Sequence, residues 1–295
     1  MTRLKESDID QIVCQMRQYN HELMSKTGHT LSEIAAHAVG MSRVDGSEVR
    51  DHGPIAVIPM TCGQGVIGGF SETVAGILTF LGMEAFVPDS SDAKGFAEAL
   101  ERKAEIIFMA DDNRFIAVHL KTGHCSDNSE ATGKGYIAAL DYMTGGLKDQ
   151  SVLILGAGPV GCAAAFSVLK FGGEVHIYDT NNKASEKLAN YVWQRNMKTV
   201  YIEKDLDSAL KGHRAIVDAC PEAEFITREY LYPNSYIAAP GVPLGIHAEA
   251  IEQIQPRLVH DPLQLGVATM LYDVLKEAES SESGDKHPRK EEVLS

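Results

Sequence analysis

Two stretches of this chain have glycine spacing suited to holding an anion, and a third pairs two acids. The first is Gly156-Ala157-Gly158-Pro159-Val160-Gly161, directly after the apolar run 152–155. Small residues follow it, and Asp179 lies eighteen residues beyond Gly161, at the end of the next apolar run, 175–178. In such an arrangement Gly156 permits a tight turn. Gly158 lets the backbone approach a pyrophosphate, and Gly161 lets helix and sheet pack closely. The helix N-terminus then faces the phosphates. Asp179 can accept from a ribose 2′-hydroxyl and would repel a 2′-phosphate, so NAD is expected over NADP. Strand, glycines, helix and acid in this order are far more specific than the glycines alone.

The second stretch, Gly63-Gln64-Gly65-Val66-Ile67-Gly68, has the same spacing and also follows an apolar run. Pro59-Met60-Thr61-Cys62 intervenes, however, which makes the turn too long for a dinucleotide crossover. It reads instead as a loop opening a helix, where N–H groups and the Thr61 hydroxyl could hold a carboxylate. The third stretch is IIFMADDN, residues 106–113, in which a buried-strand pattern runs into Asp111 and Asp112. Strand carboxyl ends are where parallel α/β sheets keep their sites. Side chains alternate along a strand, so one acid is expected in the cleft, pairing with a substrate amine, and the other at a turn. Asp111, first beyond the apolar run, is favoured for the cleft. The bland alternative is a solvated turn with Asn113.

The elements that position these residues follow from periodicity. Helices are expected over 6–24 (with Ile9, Ile12, Val13, Met16 and Leu23 inward), around 31–39, and over 70–81, 93–103, 132–146 and 263–278. Strands are expected at 55–59, 84–87 and 105–110, with 115–120 as an antiparallel edge, then at 151–155, 174–178, 199–202, 214–217, 235–238 and 257–260. The fold class is α/β: an N-terminal helical plus parallel α/β substrate domain (1–147), then a Rossmann dinucleotide-binding domain (148–262). A C-terminal helix (263–278) is expected to return toward the first domain, and a polar tail (279–295) to be disordered. The loops Ala219-Cys220-Pro221 and Pro240-Gly241 fall at the Rossmann sheet's carboxyl edge, near the nicotinamide half of the cofactor.

The 295 residues carry a formal net charge of −14, which argues against nucleic acid or anionic membrane as partner. No apolar run is long enough to span a bilayer. No leader segment is visible, and five scattered cysteines suggest no disulfide framework, so a cytoplasmic setting is expected. His119, His124 and Cys125 fit no closed zinc spacing, and no metal site is expected. Cys62 has no charged neighbour in sequence to mark it as a nucleophile. The partner is a small molecule. A homodimer would suit a fold that commonly pairs.

Three stretches together, IPMTCGQGVIGGFSETV (58–74), MADDNRFIAVHLKTG (109–123) and ATGKGYIAALDYMTGGLKDQSVLILGAGPVG (131–161), resemble the PylD family, the dehydrogenases that complete pyrrolysine biosynthesis. The resemblance covers nearly the whole chain except 279–295. It implies NAD-dependent oxidation of the terminal amine carbon of 3-methylornithyl-Nε-lysine, followed by ammonia release and ring closure. It also implies a pocket containing Ile58, Met60, Thr61 and Cys62, Asp111 or Asp112 on a substrate ammonium, and Leu4 closing over the substrate. No Ser-His-Asp or Cys-His set is visible, and water or hydroxide can take the proton. Two other readings remain: a shikimate- or amino-acid-dehydrogenase-like enzyme, loosely suggested by Asp127-Asn128 and Thr132-Gly133, and a non-catalytic NAD-sensing module.

Overall fold

The computed structural model describes residues 4–41, 52–65 and 67–284. Two sheets organise it. The first combines β1 (Ile55–Ile58), β2 (Ala85–Phe86), β3 (Ile106–Ala110), β4 (Phe115–His119) and β5 (Cys125–Asp127) in the order β2-β1-β3-β4-β5. The β2, β1 and β3 pairings are parallel, while β4 and β5 add antiparallel strands. Phe115–His119 is therefore internal, and Cys125–Asp127 forms the edge. That edge strand escaped the sequence reading because Cys-Ser-Asp offers no apolar alternation, the usual mark of a half-buried strand.

The second sheet is wholly parallel. Its strands are β6 (Ser151–Leu155), β7 (Glu174–Tyr178), β8 (Val200–Ile202), β9 (Ala215–Asp218), β10 (Tyr236–Ala239) and β11 (Leu258–His260), in the order β11-β10-β9-β6-β7-β8. The order in which successive strands are added reverses between β6 and β9, the switch point where such sheets bind ligands. Near-continuous burial of β6 and β9 is what a strand covered on both faces requires.

Helices cover both sheets. The chain begins with α1 (Glu6–Ile9), α2 (Ile12–Thr27) and α3 (Leu31–Val39). The expected single helix over 6–24 is thus two segments. Ile9, Ile12, Met16 and Leu23 are buried as the period requires, whereas Val13 is 48% exposed. A Thr30–Glu33 capping box starts α3, and Gly40 in the left-handed region ends it. The first sheet carries α4 (Phe70–Phe80) and α5 (Asp92–Glu101). Next, α6 (Asn128–Thr144) joins the halves, followed by α7 (Pro159–Lys170), α8 (Asn182–Asn196), α9 (Leu206–Gly212) and α10 (Ala248–Ile254). The last helix, α11 (Gln264–Gly284), extends past 278 into the stretch expected to be disordered. Residues 285–295 of that tail lie outside the described residues.

The joint between the sheets is helical and tight. A Cβ at Gly133 of α6 would stand 2.7 Å from the Val160 carbonyl of α7, and one at Gly135 would stand 2.5 Å from Thr269 Oγ1 of α11. Two glycines on one helix thus let both neighbours approach closely. The final helix packs on α3, α4, α6 and β4, and one apolar core runs through both halves. Asp261, 4% exposed, ties the joint together. Its Oδ2 accepts from the Tyr19 hydroxyl at 2.7 Å and the Tyr136 hydroxyl at 2.9 Å. Its Oδ1 accepts from the amides of Leu263 and Leu265 at the start of α11. Burial pushes both tyrosine hydroxyls well above their ordinary range, with the Asp261 charge adding to it. They therefore stay protonated donors, as a buried carboxylate requires.

Candidate active site

A cleft of about 550 Å³ lies between the carboxyl edges of the two sheets. Its nucleotide-side wall is Gly158-Pro159-Val160 after β6, Ala219-Cys220-Pro221 after β9, and Pro240-Gly241-Val242 after β10. The opposite wall comes from the first sheet: Ile58, Met60 and Cys62 after β1, and Met109 to Asp112 at the end of β3. Leu4 contributes from the N-terminus, and Pro262 and Leu263 from the start of the last helix.

The nucleotide side is built by backbone contacts. Gly156 follows β6 at φ +101°, and its Cβ would meet the Ala219 carbonyl at 2.8 Å. A Cβ on Gly161 would overlap the Gly156 carbonyl outright. Nothing lies within 4 Å of a Cβ on Gly158, which borders the cleft as the N-cap of α7. Turn, open approach and close packing are thus distributed over three glycines, the arrangement a pyrophosphate needs beside a helix N-terminus. Asp179 accepts from the Ala157 amide at 2.8 Å through Oδ2 and from the Asn181 amide at 2.8 Å through Oδ1. Gly156, Ala157 and Asp179 do not line the cleft; they shape the turn behind its wall. These residues fit a dinucleotide on donor chemistry and space alone.

At the β9 edge, Asp218 is fully buried. It accepts from the Gly245 amide at 2.9 Å and from the Cys220 thiol at 3.1 Å. Burial raises the Asp218 carboxyl, and burial with the Asp218 charge pushes Cys220 up to about 12. Cys220 is thus a neutral wall residue and not a thiolate nucleophile.

On the first-sheet side the acids behave differently from the sequence expectation. Asp111 and Asp112 both border the cleft. They stand beyond the end of β3, in a turn, where strand alternation no longer applies. Asp111, expected in the cleft with Asp112 at a turn, is itself the turn cap. Its Oδ1 accepts from the Asn113 and Arg114 amides at 2.8 and 2.7 Å, and its own amide donates to the Arg114 carbonyl at 2.8 Å. The first position of a reversing turn is where an Asp carboxylate reaches those amides. The same two amides hold the Asp111 carboxyl below the usual range. Asp112 instead accepts from the Gln64 amide at 2.7 Å. A Cβ on Gly63 would collide with the Asp112 carboxylate, so the second glycine loop is wrapped around this acid.

Thr61 does not line the cleft. Its hydroxyl and amide both donate to Asp92, at 2.5 and 2.9 Å, so the expected hydroxyl for a ligand carboxylate is already engaged. Cys62 lines the cleft and is exposed. His119, His124 and Cys125 do not converge: His119 contacts Thr122, His124 contacts Asp273, and Cys125 is exposed. The sequence reading did not single out Phe70, Ser71 or Phe115 as wall residues. It noted Asn128 and Thr132 only as part of a loose likeness. They stand one turn apart at the start of α6, and a Cβ on Gly266 would meet both side chains within 2.8 Å. A polar pair at i and i+4 opening a helix beside a cleft is the signal that could have marked them.

Comparison with known proteins agrees with both halves. Residues 8–126 match the family described as "Pyrrolysine biosynthesis protein PylD, N-terminal domain", and 128–227 match "Alanine dehydrogenase/PNT, C-terminal domain". The chain is 33% identical to pyrrolysine synthase of Methanosarcina acetivorans over 222 residues, covering 75% of this chain and 82% of that protein. It is 30% identical to pyrrolysine synthase of Methanosarcina barkeri over 276 residues, covering 93% and 98%. Among solved structures, quinate dehydrogenase from Corynebacterium glutamicum in complex with NAD aligns with a TM-score of 0.54 at 13% identity, over 80% of this chain and 99% of that one. Shikimate dehydrogenase from Aquifex aeolicus gives 0.52 at 13% identity, over 83% and 96%. The two dehydrogenase structures carry the fold alone; the sequence relatives carry the family. The chain belongs to the pyrrolysine synthase family and is an NAD-dependent oxidoreductase.

Proposed function

We propose that the chain oxidises the terminal amine carbon of 3-methylornithyl-Nε-lysine with NAD, and that ammonia release and ring closure then give pyrrolysine. The observation that carries this reading is the pairing of walls across one cleft. A glycine-turn wall suited to a dinucleotide faces an acidic rim suited to a substrate with several amines. In this reading residues 1–147 form the substrate domain, 148–262 the NAD domain, and 263–278 the returning helix.

When bound, NAD supplies the hydride acceptor. The carbon gives up hydride only when its amine is neutral, so a proton must leave first. Asp111 is a poor acceptor for it, because the Asn113 and Arg114 amides favour its charged form. Asp111 and Asp112 instead hold and orient ammonium groups of the substrate, and the proton passes to water. The CH–NH2 unit loses hydride and a proton to become an imine. Water converts the imine to an aldehyde and ammonia. The ornithine α-amine attacks that aldehyde, and loss of one water closes the five-membered ring. Ile58, Met60 and Leu4 supply an apolar enclosure for the methylated chain, with Cys62 at its rim. Among the cofactor contacts we place Gly156, Ala157, Gly158, Pro159, Val160 and Asp179, with Ala219, Cys220, Pro221, Pro240 and Gly241 toward the nicotinamide.

Incubating the purified protein with NAD and the lysine-linked methylornithine dipeptide, with shikimate and quinate in parallel, tests the proposal. NADH and ammonia should form in equal amounts with the dipeptide alone. Turnover of shikimate or quinate in place of the dipeptide would overturn the substrate assignment. Tight NAD binding with no reduction by any of the three would reduce the protein to a cofactor-binding module.

A further inference from the structure

Away from the cleft, three side chains of the nucleotide half converge: His176 on β7, Glu203 just beyond β8 and His213 at the end of α9. None of them lines the cleft, and they are well separated in sequence. His213 is 8% exposed. Its Nδ1 lies 2.8 Å from the Ala209 carbonyl. A carbonyl only accepts, so Nδ1 carries a proton, and in the neutral ring Nε2 presents a lone pair. His213 Nε2 lies 3.9 Å from Glu203 Oε1. Two acceptors thus confront one another across a short gap. His176 Nδ1 approaches the same Oε1 at 2.7 Å. The His176 ring stands 4.4 Å from the His213 ring and stacks on Tyr201 at 4.9 Å.

The gap between these groups suits a cation. Arg214, the cation next in sequence, is held elsewhere. Its guanidinium lies over the Tyr232 ring at 3.5 Å, and its Nη1 donates to the Lys211 and His213 carbonyls. We propose that His176, Glu203 and His213 bind a divalent transition-metal ion of the zinc class through two imidazole nitrogens and one carboxylate oxygen.

Zinc takes imidazole nitrogen and carboxylate oxygen at about 2.0–2.2 Å, which sets tetrahedral ligand atoms roughly 3.3 Å apart. The observed separations of 2.7 and 3.9 Å bracket that spacing, and all three ligand atoms lie within 4.8 Å of one another. Small side-chain movements suffice to close the site. The ion takes the place of the His176–Glu203 hydrogen bond, with the neutral His176 ring binding through Nδ1 and keeping its one proton on Nε2. The Ala209 carbonyl plays the part of the outer partner that fixes a ligating imidazole. The ion cross-links β7, the end of β8 and α9, bracing the strands that lead to Asp179. This site is independent of the reaction proposed above.

The test uses the full-length protein without an affinity tag, dialysed against a chelator and titrated with zinc chloride. One equivalent of zinc should bind per chain. At about a hundredfold excess over Kd it should raise the thermal midpoint by roughly 5 °C. Glu203→Gln and His176→Gln should each weaken zinc binding by more than the roughly 10–100-fold typical of losing an outer partner, while NAD still binds. Should one variant fail to fold, the other decides. Absence of stoichiometric zinc binding overturns the proposal and leaves a hydrogen-bonded cluster. So does binding that persists in both variants, as it would if the exposed Cys14, Cys62 and Cys125 were the ligands.

Discussion

The two glycine loops have one spacing and two structures. At 156–161 the strand enters the first glycine directly, and α7 begins at Pro159. The loop's amide and carbonyl contacts are with its own sheet edge, and Gly158 stays open to the cleft. At 63–68 four residues separate strand and glycine, and α4 begins only at Phe70, after Gly69 at φ +75°. Here the loop closes on Asp112, a side chain of the same half, through the Gln64 amide. A glycine-rich loop therefore binds whichever anion the fold presents to it. Both loops hold an internal carboxylate, Asp179 at the Ala157 amide and Asp112 at the Gln64 amide, but the first keeps Gly158 open to an external phosphate whereas the second is closed on Asp112 at Gly63.

The largest test of that difference is Gly158→Val. A side chain there has room in the protein but intrudes where a pyrophosphate must approach. NAD affinity should fall at least about 1000-fold, equivalent to roughly 4 kcal/mol. Gly65→Val strains a residue at φ +85° and should lower turnover with NAD binding nearly intact. Calorimetric titration of NAD into both variants separates them. Loss of NAD affinity in Gly65→Val would mean that the two loops have been assigned the wrong way round.

The thiols near the two loops offer the next contrast. Cys220 is held at about 12 by burial and Asp218, while Cys62 is exposed. A raised thiol pKa leaves little thiolate below it, so at pH 8 Cys220 should alkylate roughly 1000-fold more slowly than an ordinary thiol of pKa about 8.5. Its rate should keep rising with pH up to about 12. Mass-spectrometric mapping after timed iodoacetamide treatment reads this directly. Fast labelling of Cys220 would contradict the burial of the β9 edge.

Asp112→Asn should be the next most damaging change. It removes the charge that draws the Gln64 amide and, in the proposed function, part of the ammonium site. Loss of one partner of a desolvated charge pair costs about 2–5 kcal/mol, and solvent at this exposed acid should bring the effect to roughly tenfold to a hundredfold in kcat/KM. Asp111→Asn keeps an acceptor for the turn amides and should cost less. Steady-state kinetics on both, with NAD titrations as control, would reverse the assignment if Asp111→Asn proved the worse. The smallest expected effect is at Asp179. Replacing it with Ser should erode an NAD over NADP preference of about tenfold, or roughly 1.4 kcal/mol, measured as the ratio of kcat/KM for the two cofactors.

Local order was legible in the chain. The nucleotide half follows from strand, glycines, helix and acid standing next to one another, and its strand ends differ from expectation by about one residue. Gly161 packs on the Gly156 carbonyl five positions away, and Asp179 reaches the Ala157 amide from the end of the neighbouring strand of the same β-α-β unit, so the order of these pieces suffices. The apolar period of α2 was equally readable in Ile12, Met16 and Leu23. Val13 of the same period is half-exposed but packs on α4, where a Cβ on Gly76 would stand 2.6 Å from its side chain.

What the sequence by itself determined was the α/β class, the parallel dinucleotide-binding sheet and the presence of an acidic strand end. These rest on periodicity, glycine conformation and nearest-neighbour hydrogen bonding. Only the tertiary structure decided that Asp111 caps its own turn, that Asp112 anchors a loop 48 residues away, and that Thr61 belongs to Asp92. The same holds for Asp261 beneath Tyr19 and Tyr136, and for His176, Glu203 and His213 around one point. Hydrogen bonds and charge pairs form between whichever groups packing brings within about 3 Å. A polar side chain's partner is therefore set by the crossing of helices and the register of strands, which no local spacing encodes.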